Sequence, residues 1–168
     1  LMKIKKCKNC GNSSLLNLFS LGNLNFTGKF PKSKSTNINK AHIGLVMCKK
    51  CSLVQLNRSF NLRYLYGPDY GYKTGINKTM RDHMDSIRST LSKKSKLKSG
   101  DCVLDIASND ATLLNLYGKN IIKVGIDPLV NKYFKSYKNI NYKISDFFSA
   151  EKIFEKKIYR KFKIITAL

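Results

Sequence analysis

Val103–Leu114 reads VLDIASNDATLL, and the order of residue types in it decides the fold. The apolar residues Val103, Leu104 and Ile106 give way to small and polar ones, and apolar residues then resume at helical spacing. That order predicts a buried strand, a tight turn and a helix start. Asp105 falls near the carboxyl end of the strand. A second apolar run, Ile121–Ile126, ends in Asp127, 22 positions after Asp105. In a βαβ nucleotide site an acid about 20 residues on bonds the ribose hydroxyls. The stretch therefore predicts a nucleotide-type cofactor bound over the turn.

Working outward, the expected order is strand Cys102–Ile106, helix Ala111–Tyr117, strand Ile121–Ile126, helix Leu129–Tyr137 and strand Ile140–Ser145. A helix over Ala150–Tyr159 and a strand over Phe162–Ala167 follow. Such alternation gives an α/β fold with parallel strands and right-handed crossovers. Ligands of such sheets sit beyond the carboxyl ends of the strands, where Asp105, Asp127 and Asp146 all fall. Phe147 and Phe148 add an aromatic wall suited to a purine. The turn lacks G-x-G-x-x-G, carrying Ala107, Asn109 and Ala111 instead, and it has no G-K-[ST] lysine. With little room for a pyrophosphate at the helix start, a nucleoside without phosphates fits better.

Upstream, Cys7 and Cys10 form one C-x-x-C and Cys48 and Cys51 a second, with 37 residues between the pairs. Two such knuckles can place four thiolates around one zinc. Turn-prone Gly11, Asn12 and Ser13 follow the first pair, and lysines flank both. The segment between the pairs is expected to form its own hairpin or loop, punctuated at Gly22, Gly28 and Pro31, with a polar loop over Lys32–Lys40. Iron in a four-thiolate site and unligated thiols are the competing readings, and disulfides suit a cytosolic chain poorly. Cys102, at the apolar start of a strand, reads as a small hydrophobe.

Between these regions lie Tyr64, Tyr66, Tyr70 and Tyr72, in a segment that Gly67, Pro68 and Gly71 mark as a loop. From Asn77 the pattern turns helical, with Ile76, Met80, Met84, Ile87 and Leu91 on one face and Asn77 or Thr74 as N-cap. The tyrosines either pack a joint between domains or form a lid over a ligand. His83 lies off the apolar stripe and reads as a surface residue. The Lys- and Ser-rich run Ser92–Gly100 reads as a linker.

The chain has 168 residues and a net charge of +22. That charge suggests a nucleic-acid surface. The favoured reading is A/T-biased codons instead, because the composition is rich in Lys, Asn, Ile and Tyr and the lysines are spread along the chain. No apolar run reaches the roughly 18 residues of a membrane span, and no signal peptide is present, so a cytoplasmic protein without a membrane partner is expected. Leu1 precedes Met2, and the chain ends on the apolar run FKIITAL. A truncated product is the expectation.

Four blocks taken in order, the paired C-x-x-C, YGPDYGYKTGINKTMRDHM, VLDIASNDATLL, and VGIDP followed by DFF, resemble the zinc-binding sugar C-methyltransferases that use S-adenosylmethionine. The resemblance spans the chain and about the first two-fifths of a family member. It implies a partial Rossmann-like class I methyltransferase sheet of four strands behind a small cysteine zinc-binding domain. The domains would be 1–58 for zinc, 59–100 for an aromatic lid and linker, and 101–168 for the first half of the cofactor domain. By resemblance Cys7, Cys10, Cys48 and Cys51 hold structural zinc. Asp105 is among the cofactor-binding residues, the segment Ala107, Ser108 and Asn109 passes near the methionine part of the cofactor, Asp127 binds its ribose, and Asp146 with Phe147 sits near adenine. Tyr70 and Tyr72 face the substrate, Tyr72 foremost, and the substrate is a nucleotide-linked keto-deoxysugar. The family turn resembles EIGSNDGT, with glycine where this chain has Ala107 and Ala111, so a Cβ at Ala107 is expected to crowd the cofactor or oppose a positive φ. The family's His, Glu and Tyr cluster would lie past Leu168. The resemblance thus implies a class I methyltransferase whose isolated part is inactive, with no specific nucleic-acid partner and a missing C-terminal half. A basic zinc-ribbon module binding nucleic acid is the alternative.

Overall fold

The computed structural model of the protein describes residues 2–26, 31, 33, 35, 37–67 and 69–168. The expected punctuation at Gly28 and Pro68, and Lys32, Lys34 and Thr36 of the expected polar loop, lie outside the described residues. The chain divides into two compact units, Leu1–Gly71 and Tyr72–Leu168.

In the first unit β1 (Met2–Lys3) is followed by β2 (Leu15–Asn25), β3 (Lys40–Cys48), β4 (Val54–Leu56), β5 (Arg58–Ser59) and a one-turn helix α1 (Leu62–Leu65). Strands β2, β3 and β4 form an antiparallel sheet in that order, and β1 pairs antiparallel with β5. The hairpin expected between the cysteine pairs is therefore β2–β3. Its β3 strand alternates, with Ala41, Val46 and Cys48 buried, while β2 leaves Leu18, Phe19 and Leu21 largely exposed. Helix α1 occupies part of the segment read as a tyrosine loop, started by the Asn61 side chain, which accepts from the Arg63 N–H.

The second unit opens with a 3₁₀ turn at Thr74–Ile76 and helix α2 (Lys78–Ser95). Asn77 caps α2, its side chain accepting from the Met80 N–H at 2.7 Å. The expected linker from Ser92 instead begins as helix, because Ser92, Lys93, Lys94 and Ser95 tolerate helix and include no Gly or Pro. The helix ends where Lys96 turns left-handed (φ +51°) and the Leu97 N–H bonds back to the Ser92 carbonyl. Met84 is buried, and Met80, Ile87 and Leu91 pack against the same core. Ile76 precedes the helix and is exposed, so it drops out of the expected stripe.

Strands β6 (Cys102–Ile106), β7 (Ile122–Ile126), β8 (Tyr142–Ile144) and β9 (Phe162–Ala167) form one parallel sheet. Helix α3 (Thr112–Asn115) follows β6, and α4 (Ala150–Glu155) precedes β9. The strand order is β8-β7-β6-β9, so the chain reverses direction across the sheet between β6 and β9. Both faces of β6 and β7 are covered, which explains their continuous apolar runs, while edge strand β9 leaves Ile165 exposed. Val103 and Ile164 meet Met84, Leu114 and Tyr137 on one face; Cys102, Leu104, Val124 and Ile126 meet Ile153 and Ile158 on the other. Cys102 is thus a buried hydrophobe, and burial pushes its thiol pKa up.

Strands β6 and β9 keep their expected limits, and β7 and β8 are trimmed at their ends. The expected helices shrink. Ala111 is left-handed (φ +59°), so α3 starts one residue later and makes a single turn. Lys157 (φ +54°) lies just past α4 and helps to end it. The helix expected over Leu129–Tyr137 is a run of turns closing in a 3₁₀ turn at Phe134–Tyr137. Asn131, Tyr133, Phe134 and Ser136 favour helix weakly, and burial of Val130 and Tyr137 decides the path instead.

Candidate metal centre and cofactor edge

Each cysteine pair sits in a tight knuckle, and the two knuckles repeat one hydrogen-bond pattern. The Cys7 N–H donates to Asn12 O at 2.8 Å and Gly11 N–H to Cys7 O at 3.0 Å; the Cys48 N–H donates to Leu53 O and Ser52 N–H to Cys48 O, both at 2.9 Å. The residue after the second cysteine is left-handed in both, Gly11 at φ +73° and Ser52 at φ +59°. This path brings Cys7 Sγ within 3.6 Å of Cys51 Sγ and Cys10 Sγ within 3.6 Å of Cys48 Sγ. All four sulfurs lie within 4.8 Å of one another. A disulfide needs about 2.05 Å, whereas a tetrahedral site with Zn–S near 2.3 Å has sulfur edges of about 3.8 Å. The cluster fits one zinc ion, and four protein ligands leave no open position for catalysis.

The thiols are tuned unevenly. The Cys10 N–H holds the Cys7 thiol pKa below its ordinary value against burial. The Leu53 N–H, helped by the Cys10 sulfur, brings Cys51 down to about 6. At Cys10 the Asn12 N–H works downward, but burial and the three other sulfurs push it up to about 11. Four adjacent thiolates repel one another, and a divalent cation removes that cost and deprotonates the ligands.

In the second unit the carboxyl end of β6 opens onto a cavity of about 170 Å³, lined by Tyr72, Thr74, Met84, Asp105, Ala107, Ser108 and Thr112 among others. Asp105 is buried, and the Thr166 hydroxyl donates to its Oδ1 at 2.6 Å. Burial raises its pKa to about 6, with the Thr166 bond opposing and the Asp127 charge adding. Thr166 carried no sequence signal: only the β6–β9 pairing brings it opposite Asp105. Asp127 is buried too, and both its oxygens are used. Oδ2 accepts the Asn109 N–H at 2.9 Å, and Oδ1 accepts the Leu129 N–H at 2.7 Å. Burial still raises its pKa against those bonds. Asp146, half-buried, accepts the Phe147 N–H at 2.8 Å and faces the Lys152 Nζ at 3.6 Å. Phe147 is half-buried and Phe148 exposed.

The turn itself is held from all sides. Ala107, Asn109 and Ala111 have φ of +56°, +47° and +59°, so both alanines stand where glycine is easiest. Ser108 Oγ lies 2.7 Å from the buried Tyr137 hydroxyl, which also donates to Asn109 O at 2.9 Å. The Asn109 side chain accepts the Thr74 N–H at 3.1 Å and donates to Tyr72 O at 3.3 Å. Asp110 Oδ2 accepts the Gly75 N–H at 3.1 Å, and Tyr133 hydroxyl donates to Tyr72 O at 3.1 Å. The Tyr72–Gly75 strap is thereby fixed to the turn, and Tyr72 reaches the cavity. Gly125 on β7 allows the close approach behind the turn: a Cβ there would meet Leu114, Tyr137 and Ser108 at 2.9–3.0 Å. Asp110, Tyr133 and Tyr137 were not singled out in the sequence, because long-range hydrogen bonds of this kind leave no spacing pattern.

Tyr70 lies in the first unit, its N–H on Gly67 O and its ring 5.2 Å from Tyr66. His83 is exposed on α2. No helix among the described residues is long and apolar enough to cross a membrane.

Compared with known proteins, residues 7–66 match the Methyltransf_13 family model, described as a zinc binding domain. No curated protein matches the chain.

Proposed function

With residues 7–66 matching the zinc-binding domain of the Methyltransf_13 family, we propose that the second unit is a Rossmann-like half-site for S-adenosylmethionine. We propose further that the protein serves C-methylation of a nucleotide-linked keto-deoxysugar. The observation that carries this reading is the strand order β8-β7-β6-β9, with a cavity at the carboxyl end of β6 beside the reversal. Doubly wound sheets bind their ligands at that place.

The residues fit the cofactor in kind. Asp127, at the end of the second strand of the sheet, is the acid that would take the ribose hydroxyls, using the lone pairs left beside its two backbone bonds. The cavity of about 170 Å³ is smaller than the roughly 300–1,000 Å³ of a whole-ligand pocket. It suits the amino-acid end, with Ala107, Ser108 and Asn109 alongside and Asp105 and Tyr72 across from it. Asp146 and Phe147 would flank the adenine. Zinc would be structural, fixing the fold of the first unit through Cys7, Cys10, Cys48 and Cys51.

When bound, the cofactor supplies an activated methyl group on a sulfonium. In the reaction proposed, a base removes the proton next to the sugar ketone, and the enolate carbon takes the methyl group. The part of this chain is positioning and exclusion of water. The strap fixed by Asn109 and Asp110 carries Tyr72 to the cavity, where its phenol would face substrate.

Calorimetric titration of the full chain with S-adenosylhomocysteine tests the reading. A saturable heat that Asp127→Ala abolishes and Asp82→Ala on the exposed face of α2 leaves intact supports it. No heat at millimolar ligand overturns it.

A further inference from the structure

A second cavity, of about 370 Å³, lies in the first unit, and Lys3, Asn17, Ser20, His42, Asn57 and Arg58 line it. We propose that it is an anion site for a phosphate or diphosphate group. The proposal stands whether or not the second unit binds S-adenosylmethionine.

The lining is rich in donors and cations, and residues 1–68 contain twelve Lys and Arg but no Asp or Glu. No carboxylate within that stretch can balance the cavity. Lys3 and Arg58 are direct partners across the β1–β5 ladder, a placement that costs stability for like charges unless an anion sits between them. The Nε of Arg58 and the Oδ1 of Asn57 are buried without a hydrogen-bond partner. An unpaired guanidinium N–H is an exception that asks for a partner; a small turn of the Arg58 side chain would bring it to an anion in the cavity, and the Asn57 amide can turn over to offer its NH₂. Ser20 Oγ and His42 Nε2 lie 3.0 Å apart, and the Gly22 N–H donates to the same oxygen at 3.0 Å, which fixes both side chains.

The backbone of β2 is shaped for this cavity. A regular strand sends alternate side chains to opposite faces, yet Asn17, Leu18, Phe19 and Ser20 all line the one cavity. One register break falls within them, between Asn17 and Phe19, and a second just after them, between Ser20 and Gly22. Bulges re-aim side chains in this way beside functional sites. Scattered lysines would give a basic surface; they would not give a cavity lined by an irregular strand on one side and by Lys3 and Arg58 on the other.

The test titrates the full zinc-loaded chain with inorganic phosphate, pyrophosphate and a nucleoside diphosphate at constant ionic strength, following the His42 ring resonances and the heat. Saturable binding of one anion per chain is expected. Arg58→Gln and Lys3→Gln should each weaken it by about tenfold, and Lys5→Gln, outside the cavity, by less than about twofold. Cobalt uptake by the cysteine cluster shows that each variant folds. His42→Gln and the His42 shifts of the unsubstituted chain give readings that do not depend on Arg58→Gln. A nucleoside diphosphate binding more tightly than pyrophosphate names a nucleotide as the source, and equal affinities name the free anion. Absence of saturation, equal weakening by Lys5→Gln, or binding confined to DNA and growing with its length would overturn the proposal.

Discussion

The cysteine knuckles and the 107–111 turn both need residues in the left-handed region, and they meet that need differently. At the knuckles Gly11 and Ser52 take the position, and two short backbone bonds close each loop. At the turn Ala107, Asn109 and Ala111 take it without a glycine among them. The geometry there is imposed from outside by Asp127, Tyr137 and the Tyr72–Gly75 strap. Each knuckle is thus a local device that needs few residues close in sequence. The 107–111 turn is a distributed one, whose shape depends on the whole second unit.

The largest effect should come from the local device. Chelation, or Cys48→Ala, removes the link between the two knuckles' sulfurs. Structural zinc contributes roughly 10 kcal/mol or more in small zinc folds, so the first unit should lose its amide protection at Ala41, Val46 and Cys48. Protection at Val103 and Val124 in the second unit should persist, and equal loss in both would break the contrast.

Next comes the buried acid. The Asp105 pKa is raised from 3.8 to about 6, so its contribution to stability is complete below pH 3.8 and is lost as pH rises through about 6. The shift corresponds to about 3 kcal/mol at neutral pH. Asp105→Asn should be more stable than the natural chain by an amount of that order at pH 7.5, and the gap should close toward pH 4. Urea unfolding read by exchange at Val103 checks this, and a gap that does not change with pH contradicts it.

A smaller effect tests the outside support. Asn109→Gly fits the positive φ but deletes the clamp on Tyr72 and Thr74. A loss of about 1–2 kcal/mol is expected, with the Thr74 and Gly75 amides exchanging faster. The smallest change is a gain: Ala107→Gly relieves left-handed strain at an exposed site and should stabilise the second unit by about 1 kcal/mol. No gain in urea unfolding would mean that the alanine carries no strain there.

The sequence made some of this legible and not the rest, for physical reasons. The cysteines are read directly, since a metal constrains spacing within each knuckle. Strand β6 kept its limits because burial on both faces writes a continuous apolar run, and edge strand β9 kept its own with one face buried at Ile164 and Thr166 and the other exposed. The helix expected over Leu129–Tyr137 failed because apolar spacing there serves a turn that buries Val130 and Tyr137. The glycine-for-alanine departure at Ala107 and Ala111 pointed to the right backbone positions. The partners that hold them, Tyr137 and Asp110 above all, appear only once the chain is folded.

Hydrogen exchange with and without S-adenosylhomocysteine tests the central claim most directly. Slower exchange at Ser108, Asn109 and Ala111 and at the Asp127 and Leu129 amides is predicted, with the amides of Cys7, Gly11, Cys48 and Ser52 unchanged. Protection that appears at the knuckles, or nowhere in the 107–111 turn, would contradict a cofactor site on the second unit.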